Sequence, residues 1–493
     1  MNAHVTSTAR TSIPREPARR HSRTSCGKDA RRALLATAAA ALLFVSSCSG
    51  PDDTVVKAEP GPIPAAPQRP GDPEIGRDVI ESGRYMTCGM PYSAWRRVSG
   101  APGVRADDGA AGTDALPYYM SVSEDEQGVE IANANCLLCH GALFDGKPVI
   151  GLGDESLDFT ENPTELADAI GAYALGPQQA AAWRKWADRI AAIAPYMITD
   201  TVGVNPAPNL TLALIAHRDP KTLEWFDEPR LDPPPERPLP ISVPPWWRMS
   251  KKHSMFYNGM GRGDHARFMM MKSLVCTDSV DEAERIDEMF THVRAFIASL
   301  EPPAYPYPID EALAARGEPI FVEHCASCHG TYGDDGEYPN RLVPLDVVGT
   351  DPAYARQAYD DSDRFMSWFN RSWYGELAEA RPALGYVAPP LDGVWITAPF
   401  LHNGSVPTIE ALLDSRKRPT YWVRSFDSRD YDPDALGWRY RELDYGKAGA
   451  ATERERQRIY DTTLYGYSNA GHTFGDELTD DERRALIEYI KTL

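Results

Sequence analysis

The sequence has no excess of positive charge. Lysines and arginines number 51 against 71 aspartates and glutamates, which gives a formal net charge of −20 over 493 residues. Residues 1–47 carry eight basic and two acidic side chains, so their removal would bring the charge to −26. A surface this acidic repels phosphate groups, which argues against nucleic acid and anionic membrane surfaces as partners. It favours a basic redox partner protein instead.

The chain also lacks a long apolar run near its start, where a bilayer crossing would take about 20 residues. The short run at residues 33–45 follows a cluster of arginines and leads into Val45-Ser46-Ser47-Cys48. A basic region, a short apolar core and small residues form a secretory signal. We expect a lipoprotein signal peptide over residues 1–47 and a lipid on Cys48; an ordinary signal cut nearby is the alternative. The protein would then be an exported, periplasmic or outer-surface lipoprotein, in contact with membrane only through its lipid anchor.

Cysteine is scarce, with eight residues in the whole chain. Cys26 leaves with the signal, Cys48 is the lipidation candidate, and four others stand in a repeated motif. Cys88 and Cys276 remain. Two leftover cysteines in an oxidising compartment most simply pair, so a disulfide is possible. Two separate buried thiols are the alternative.

The repeated motif is C-x-x-C-H, and its two copies consist of Cys136, Cys139 and His140, and of Cys325, Cys328 and His329. It is the attachment signal for c-type haem, in which two thiols add across the vinyl groups and the histidine ligates iron. A zinc half-site or a redox dithiol also uses a C-x-x-C pair. The histidine after each copy and the exported chain favour haem. We therefore expect two covalently bound c-type haems, with His140 and His329 as iron ligands.

The 42 prolines indicate many loops rather than long uninterrupted helices. We predict a mainly α fold of two cytochrome c-like haem domains, with long proline-rich loops and little β structure. Residues 48–74 would form a flexible tether, 75–304 the N-terminal haem domain and 305–493 the C-terminal cytochrome c-like haem domain. A helix before the second motif and a last helix, which opens on a capping box of Thr479 and Glu482, would cross beside the second haem.

The sixth ligand of each iron decides the function. An iron with two strong protein ligands transfers electrons, whereas an open position admits oxygen or peroxide. His472 lies in a loop just before the last helix and is the candidate ligand of the second haem; His402 competes with it, or forms a hydrogen bond beside the haem. The first motif has no obvious partner. If the iron at this motif is six-coordinate, His265 and His253 would be the first candidates for its second protein ligand.

The run from Pro389 to Thr408, together with two C-x-x-C-H motifs, resembles the bacterial di-haem cytochrome c peroxidase superfamily. Within it the chain is most similar to the rubber-oxygenase-like branch. The segments closest to that branch are Gly151-Leu-Gly153, Pro244-Pro-Trp-Trp247, Phe256-Tyr-Asn-Gly-Met-Gly and Ser468-Asn-Ala-Gly-His472. The likeness covers nearly all of the mature chain.

This resemblance implies that His329 and His472 ligate the second haem as a low-spin electron store. It implies that the distal side of the haem at His140 is open to oxygen or peroxide. Trp247 would lie near the shortest path between the haems as a relay; a core tryptophan in a proline-rich turn is the alternative.

Two departures from ordinary di-haem peroxidases narrow what the resemblance implies. Those enzymes carry a displaceable histidine soon after the first motif, and residues 141–200 contain none. They also carry a methionine after the His-Asn-Gly-Ser segment, at a place that falls near Arg416 here. We therefore expect a di-haem c-type oxidoreductase, peroxidase- or dioxygenase-like, in which the first haem reacts with oxygen or peroxide and the second transfers electrons. A pure electron-transfer cytochrome with both irons six-coordinate is the alternative.

Overall fold

The helical segments form largely where their apolar spacing indicates. The computed structural model describes residues 55–100, 103–104, 111–112 and 116–493. The predicted signal peptide and Cys48 lie outside these residues. In this part of the chain, no helix combines the length and the apolarity that a bilayer crossing needs.

The α-helices differ widely in length. In chain order they are α1 (Pro73–Ser82), α2 (Tyr92–Ser99), α3 (Leu137–His140), α4 (Pro163–Gly171), α5 (Pro177–Ile193), α6 (Ala207–Ala216), α7 (His265–Met269), α8 (Val280–Ala298), α9 (Glu311–His324), α10 (Ala326–His329), α11 (Leu345–Val348), α12 (Ala353–Asp360), α13 (Ser362–Arg371), α14 (Ile409–Leu413), α15 (Glu453–Arg458) and α16 (Asp480–Ile490). The capping box that the sequence predicts at the start of α16 is confirmed. The Thr479 hydroxyl accepts from the Glu482 backbone N–H, and the Glu482 carboxylate accepts from the Thr479 N–H.

Short strands connect the helices. In chain order they are β1 (Gly61–Pro62), β2 (Met90–Pro91), β3 (Gly103–Val104), β4 (Ala111–Gly112), β5 (Met120–Glu124), β6 (Glu130–Ala134), β7 (Leu143–Phe144), β8 (Lys147–Pro148), β9 (Gly261–Gly263), β10 (Arg341–Pro344), β11 (Ala378–Ala380), β12 (Gly385–Val387), β13 (Tyr421–Arg424), β14 (Tyr431–Asp432), β15 (Gly437–Trp438), β16 (Tyr440–Leu443) and β17 (Tyr460–Asp461). They pair antiparallel into sheets of two or three strands. The three-stranded sheets have the orders β1-β10-β12, β2-β6-β5 and β16-β13-β17.

The prediction of a mainly α fold with little β structure is therefore wrong. The structure is 41% helical with 12% strand, which makes it a mixed α and β fold. The physical reason lies in the loops. Where proline-rich loops pass one another, their buried N–H and C=O groups must find hydrogen-bond partners. They find them in each other, as when β9 pairs with β11 over a separation of more than one hundred residues.

The helices α9 and α16 cross beside the second motif. A Cβ atom at Gly317 would lie 2.0 Å from the carbonyl oxygen of Ala485 and 2.8 Å from Cβ of Tyr489, so only glycine permits this approach. One turn further along α9, the ring of Phe321 lies 5.3 Å from the ring of Tyr489. Because α9 runs directly into Cys325, this crossing fixes the position of the second motif.

A second crossing of the same kind joins α1 and α8. A Cβ atom at Gly76 would lie 2.0 Å from the carbonyl oxygen of His292 and 2.9 Å from Cβ of Phe296. Sequence reasoning predicted both helices but did not pair them. A shared spacing could have indicated that α1 also crosses another helix closely. An apolar residue follows four positions after Gly76, as it does after Gly317.

Residues 55–72 lie against the rest of the chain rather than forming a free tether. Strand β1 pairs with β10, and the N–H of Ile63 donates to the Asn340 carbonyl at 2.9 Å. Ile63 is buried, and the Arg69 guanidinium donates to the Asp287 carboxylate at 2.7 Å. Within the predicted tether over 48–74, these residues are held by strand pairing and burial, and the bounds of the predicted tether and domains stay a prediction. Prolines that hold the backbone extended also suit it to the edge of a sheet.

A disulfide joins Cys88 to Cys276, with their Cα atoms 5.3 Å apart. This is the pair left over when the other cysteines are assigned. It links the loop after α1 to the turn before α8 across 188 residues of sequence. The bond therefore reinforces the crossing of these two helices near the first motif.

Candidate haem sites

The first motif forms the single helical turn α3, and a glycine-rich loop holds it. The N–H of Gly151 donates to the His140 carbonyl at 2.8 Å, and the N–H of Asp154 donates to the Cys139 carbonyl at 2.8 Å. The loop that the sequence places beside the attachment site thus supports the motif through its backbone. Both bonds fix the orientation of a turn that is too short to be stable alone.

The imidazole of His140 is stacked and uncharged. Its ring lies 4.7 Å from the ring of Trp246, with the planes inclined by 26°. Burial lowers the pKa of His140 to about 3; the positive charge of Lys272 adds to this and the nearby Pro244 carbonyl opposes it. Its buried Nδ1 has no hydrogen-bond partner among the described residues. The ring is therefore neutral, which is the form that ligates metals.

One cysteine in each motif has a raised thiol pKa, which does not suit a redox dithiol. All four are free thiols, and burial raises the pKa of Cys139 to about 12 and that of Cys325 to about 11. A reactive dithiol needs a lowered pKa instead. The two motifs also do not come together as one metal-binding cluster within the residues that the structure describes. Thioether bonds to the vinyl groups of haem do not need a cysteine that stays ionised in the folded protein. They fit these positions better.

A backbone carbonyl orients the histidine of the second motif. Nδ1 of His329 lies 2.7 Å from the Pro389 carbonyl oxygen, so this nitrogen is the donor and the other ring nitrogen is free to bind metal. The Tyr332 hydroxyl donates to the His329 carbonyl at 3.1 Å. Burial lowers the pKa of His329, and the charge of Arg248 adds to this effect.

His472 lies opposite His329. The two ring centroids are 6.1 Å apart and the ring planes are inclined by 60°. With metal–nitrogen bonds of about 2 Å, two imidazoles on opposite sides of one metal place their centroids roughly 6 Å apart. Burial, and then the neighbouring His329, lowers the pKa of His472 to about 4. His329 and His472 would together be able to hold one haem iron, as the resemblance implies.

Arg418 holds the loop that carries His472. Its guanidinium donates to the carbonyl oxygens of Asn469, Gly471 and His472 at 2.7, 2.6 and 3.0 Å. On the other side of the loop, the His472 N–H donates to the Val348 carbonyl at 2.7 Å. Sequence reasoning missed Arg418. It lies 54 residues before His472, in no motif that would relate the two.

His402 lies elsewhere, among tyrosines. Its ring stacks on Tyr386 with centroids 4.0 Å apart, and the rings of Tyr257 and Tyr354 are each 6.5 Å away. Burial lowers its pKa to about 3. Of the two histidines weighed for the second haem, the structure brings His472 against His329 and gives His402 an aromatic cage.

Trp247 lies between the segments that support the two motifs. Its indole N–H donates to the Asp392 carbonyl at 2.8 Å, close in sequence to Pro389 behind His329. The preceding Trp246 donates its N–H to the Gly151 carbonyl at 2.9 Å, in the loop behind His140. Trp247 is 3% exposed. This position is compatible with the electron relay that the resemblance implies. It is equally compatible with the alternative, a tryptophan that only packs in the core.

The two other histidines considered for the first iron have different surroundings. Nδ1 of His253 lies 2.8 Å from the Ile63 carbonyl, so the ring anchors the segment before α1. His265 begins α7 and is 1% exposed, and neither of its ring nitrogens has a hydrogen-bond partner within the described chain. Trp246, not a histidine, stacks on the His140 ring.

Residues 385–423 match the family described as RoxA-like, cytochrome c-like. This part of the chain is cytochrome c-like. It contains both the Pro389 carbonyl that orients His329 and the Arg418 side chain that holds the His472 loop. The match implies a covalently bound c-type haem and supports a relationship to di-haem cytochromes.

Two proteins of Sinorhizobium fredii (strain NBRC 101917 / NGR234), y4iJ and y4iM, are similar to the chain, and both are described as uncharacterized. Each is 33% identical, in alignments of 261 and 253 residues. These alignments cover 39% and 43% of this chain. The matched part spans 41% of y4iJ and 56% of y4iM, about half the length of these relatives.

Proposed function

We propose that the chain is an exported di-haem c-type oxidoreductase. The haem at His140 would react with oxygen or peroxide, and the haem at His329 would transfer electrons. Haem iron with an open sixth position supplies the binding and activation of oxygen species, whereas iron with two strong ligands supplies electron transfer. The cytochrome c-like match over residues 385–423 supports the haem chemistry in general terms.

One observation carries the proposal: the two motif histidines are not in equivalent surroundings. The ring of His329 has His472 at 6.1 Å, held by the backbone bonds of Arg418. The ring of His140 has Trp246 at 4.7 Å. Trp246 stacks on the imidazole itself rather than across an iron from it. Among the described residues, no second imidazole faces His140 in the way that His472 faces His329.

Neighbouring residues adapt the first site to its role. Lys272 donates to the Ala134 carbonyl at 2.6 Å, and its charge lowers the pKa values of Cys139 and His140. A positive charge there disfavours a further positive charge on the iron, so it stabilises the reduced state. Trp246 stacks on the His140 ring and would hold its orientation. Trp247, between the supports of the two motifs, would relay electrons.

The cellular setting is part of the proposal. The predicted signal and Cys48 would export the chain as a periplasmic or outer-surface lipoprotein, where c-type haem is attached. The acidic net charge of −20 would favour a basic redox partner protein.

Electron paramagnetic resonance of the ferric protein tests the asymmetry directly. We expect one low-spin haem from the His329 and His472 pair and one high-spin haem at His140. Haem content, measured on the same sample as the pyridine haemochrome, should be two per chain. Two low-spin signals with no high-spin signal would remove the basis for a reactive first haem.

A pure electron carrier is the second candidate, and His265 favours it. This histidine is 1% exposed, and burial lowers its pKa to about 4, so it is a neutral ring with two unpartnered nitrogens in the described chain. If the spectrum shows two low-spin haems, His265→Ala should return one of them to high spin. An unchanged spectrum in that variant would dismiss His265 as a ligand.

A further inference from the structure

A small pocket of about 30 Å³ lies between the supports of the two motifs. Its lining includes Pro244, Arg248, Lys252, Tyr257 and Pro389. Pro389 is the residue whose carbonyl orients His329, at 2.7 Å. The Pro244 carbonyl lies beside the His140 ring and acts on its pKa. The pocket therefore adjoins both motifs at once.

Two cations line this pocket without an anion. The Arg248 side chain is bound to neutral groups, the Asp392 carbonyl oxygen at 3.0 Å and the Thr397 hydroxyl at 3.4 Å. The Asp392 carboxylate forms its salt bridge with the Nζ atom of Lys251 instead, at 2.6 Å. Lys252 makes neither a salt bridge nor a side-chain hydrogen bond within the described residues. Arg248 is 6% exposed.

Positive charge taken out of water is costly unless an anion compensates it. Arg248 is buried and has only one carboxylate nearby among the described residues, that of Asp392, which already pairs with Lys251. Lys252 is half-buried, and no carboxylate lines the pocket. The cost is visible in the acid–base behaviour of both groups. Burial lowers the pKa of Lys252 to about 8, and the charge of Arg248 lowers it further. Burial lowers the pKa of Arg248 as well. Two such cations facing one pocket indicate that an anion belongs there, and a carboxylate suits the fork of an arginine.

We propose that Arg248 and Lys252 form a carboxylate-binding pair for the propionate groups of the covalently attached haem. Each haem carries two propionate carboxylates at its edge, and the pocket adjoins both attachment sites. The inference rests on the proposed function only in requiring haem at these motifs; it does not require that either haem react with oxygen. The two cations would fix the tilt of the macrocycle and raise its reduction potential.

The test compares three variants of the haem-loaded protein by spectroelectrochemical titration of each haem. Lys252→Met removes the charge, and Lys252→Arg restores it. Lys221→Met is the control, because it removes the same charge from an exposed lysine that does not line the pocket.

We expect Lys252→Met to lower the midpoint potential of one haem, because the ferric state is no longer disfavoured by a nearby positive charge. The expected change is about tenfold in the one-electron equilibrium constant, ~59 mV. The potential should also become dependent on pH near neutrality, since a propionate without its cation takes up a proton more readily. Lys252→Arg should restore both properties, and Lys221→Met should leave both near those of the parent protein.

Equal shifts in Lys252→Met and Lys221→Met would overturn the pairing, because the loss of any positive charge would then have the same effect. The absence of a shift in Lys252→Met would overturn it as well. The pyridine haemochrome of the parent protein separates this failure from that of the proposed function. Two haems per chain with unshifted potentials would reject the pairing and leave the di-haem assignment intact. Fewer than two haems per chain would reject the di-haem function itself. It would also reject propionate binding by Arg248 and Lys252 for the motif that carries no haem.

Discussion

The ring of His472 faces the ring of His329 at 6.1 Å between centroids, although 143 positions separate the two residues in the sequence. The positions of both rings are set by backbone contacts rather than by each other. His329 is oriented by the Pro389 carbonyl at 2.7 Å, and His472 is held by its N–H bond to Val348 and by Arg418. Because the protein itself holds both rings, we expect them to supply two strong ligands to an iron at His329.

Replacement of His472 tests this ligand set. His472→Ala should convert one low-spin haem to high spin, because alanine cannot supply a sixth ligand. Electron paramagnetic resonance and the optical spectrum of the ferric protein would show the change. His402→Ala is the matched control, since that ring stacks on Tyr386 at 4.0 Å rather than facing His329. An unchanged spectrum in His472→Ala, together with a changed one in His402→Ala, would assign the ligand to His402.

Arg418 should determine how firmly His472 stays bound. Arg418→Met removes donors from five carbonyl oxygens, three of which belong to the His472 loop. Each buried acceptor left without a partner costs about 1–3 kcal/mol. We expect the His472 loop to loosen, so that a fraction of the second haem becomes high-spin and added imidazole binds faster by stopped-flow. Arg416→Met is the control, because that side chain is 72% exposed and pairs with Asp414. Identical rates of imidazole binding in both variants would argue against a role of Arg418 in holding the His472 loop.

Local sequence signals predicted the parts of the site that are local in sequence. The C-x-x-C-H turns, the capping box at Thr479 and Glu482, and the approximate bounds of α1, α8 and α9 each depend on residues within a turn or two. Cys88 and Cys276 are distant in sequence, yet their disulfide could be suggested by elimination. The other six cysteines were already assigned to the signal peptide, the lipid anchor and the two haem motifs.

The remaining features depend on contacts between distant segments. Strand β1 pairs with β10 across roughly 280 residues, and each strand alone is too short and too proline-rich to indicate a sheet. The prediction of a mainly α fold failed for this reason. Arg418 and Lys252 likewise belong to no motif. Their roles come from what lies opposite them in space, namely three loop carbonyls and an anion-free pocket.

The two helix crossings should tolerate no side chain at their glycines. An alanine in place of a helical glycine normally gains about 0.5–1 kcal/mol from propensity. Here Gly317→Ala or Gly76→Ala would put a Cβ atom 2.0 Å from a backbone carbonyl oxygen, so the helices must separate. We expect a net loss of about 1–3 kcal/mol in the free energy of unfolding, measured by denaturant titration. Ala315→Ser, on the exposed side of α9, should cost far less; an equal cost would mean that the crossing is not tight.

Glu155 should make the stability of the protein depend on pH. This carboxyl group is 8% exposed, and its Oε1 accepts from the Val243 N–H at 2.6 Å. Burial raises its pKa to about 8, although the Val243 bond and the charge of Arg424 partly oppose the shift. Since the ordinary pKa is 4.5, the folded protein holds this proton over a range in which the unfolded chain has lost it. Stability should therefore fall as the pH rises from about 4.5 to about 8.

Glu155→Gln keeps the hydrogen-bond acceptor for Val243 and removes the titration. The free energy of unfolding, measured by denaturant titration at several pH values between 5 and 9, should fall with rising pH in the parent protein relative to this variant. The difference should reach about 3–5 kcal/mol at the alkaline end. The buried histidines, whose lowered pKa values act in the opposite direction, are present in both proteins and cancel in the comparison. Glu165→Gln, at an exposed position in α4, should follow the parent curve. Parallel curves for the parent and Glu155→Gln would show that Glu155 stays ionised in the folded protein.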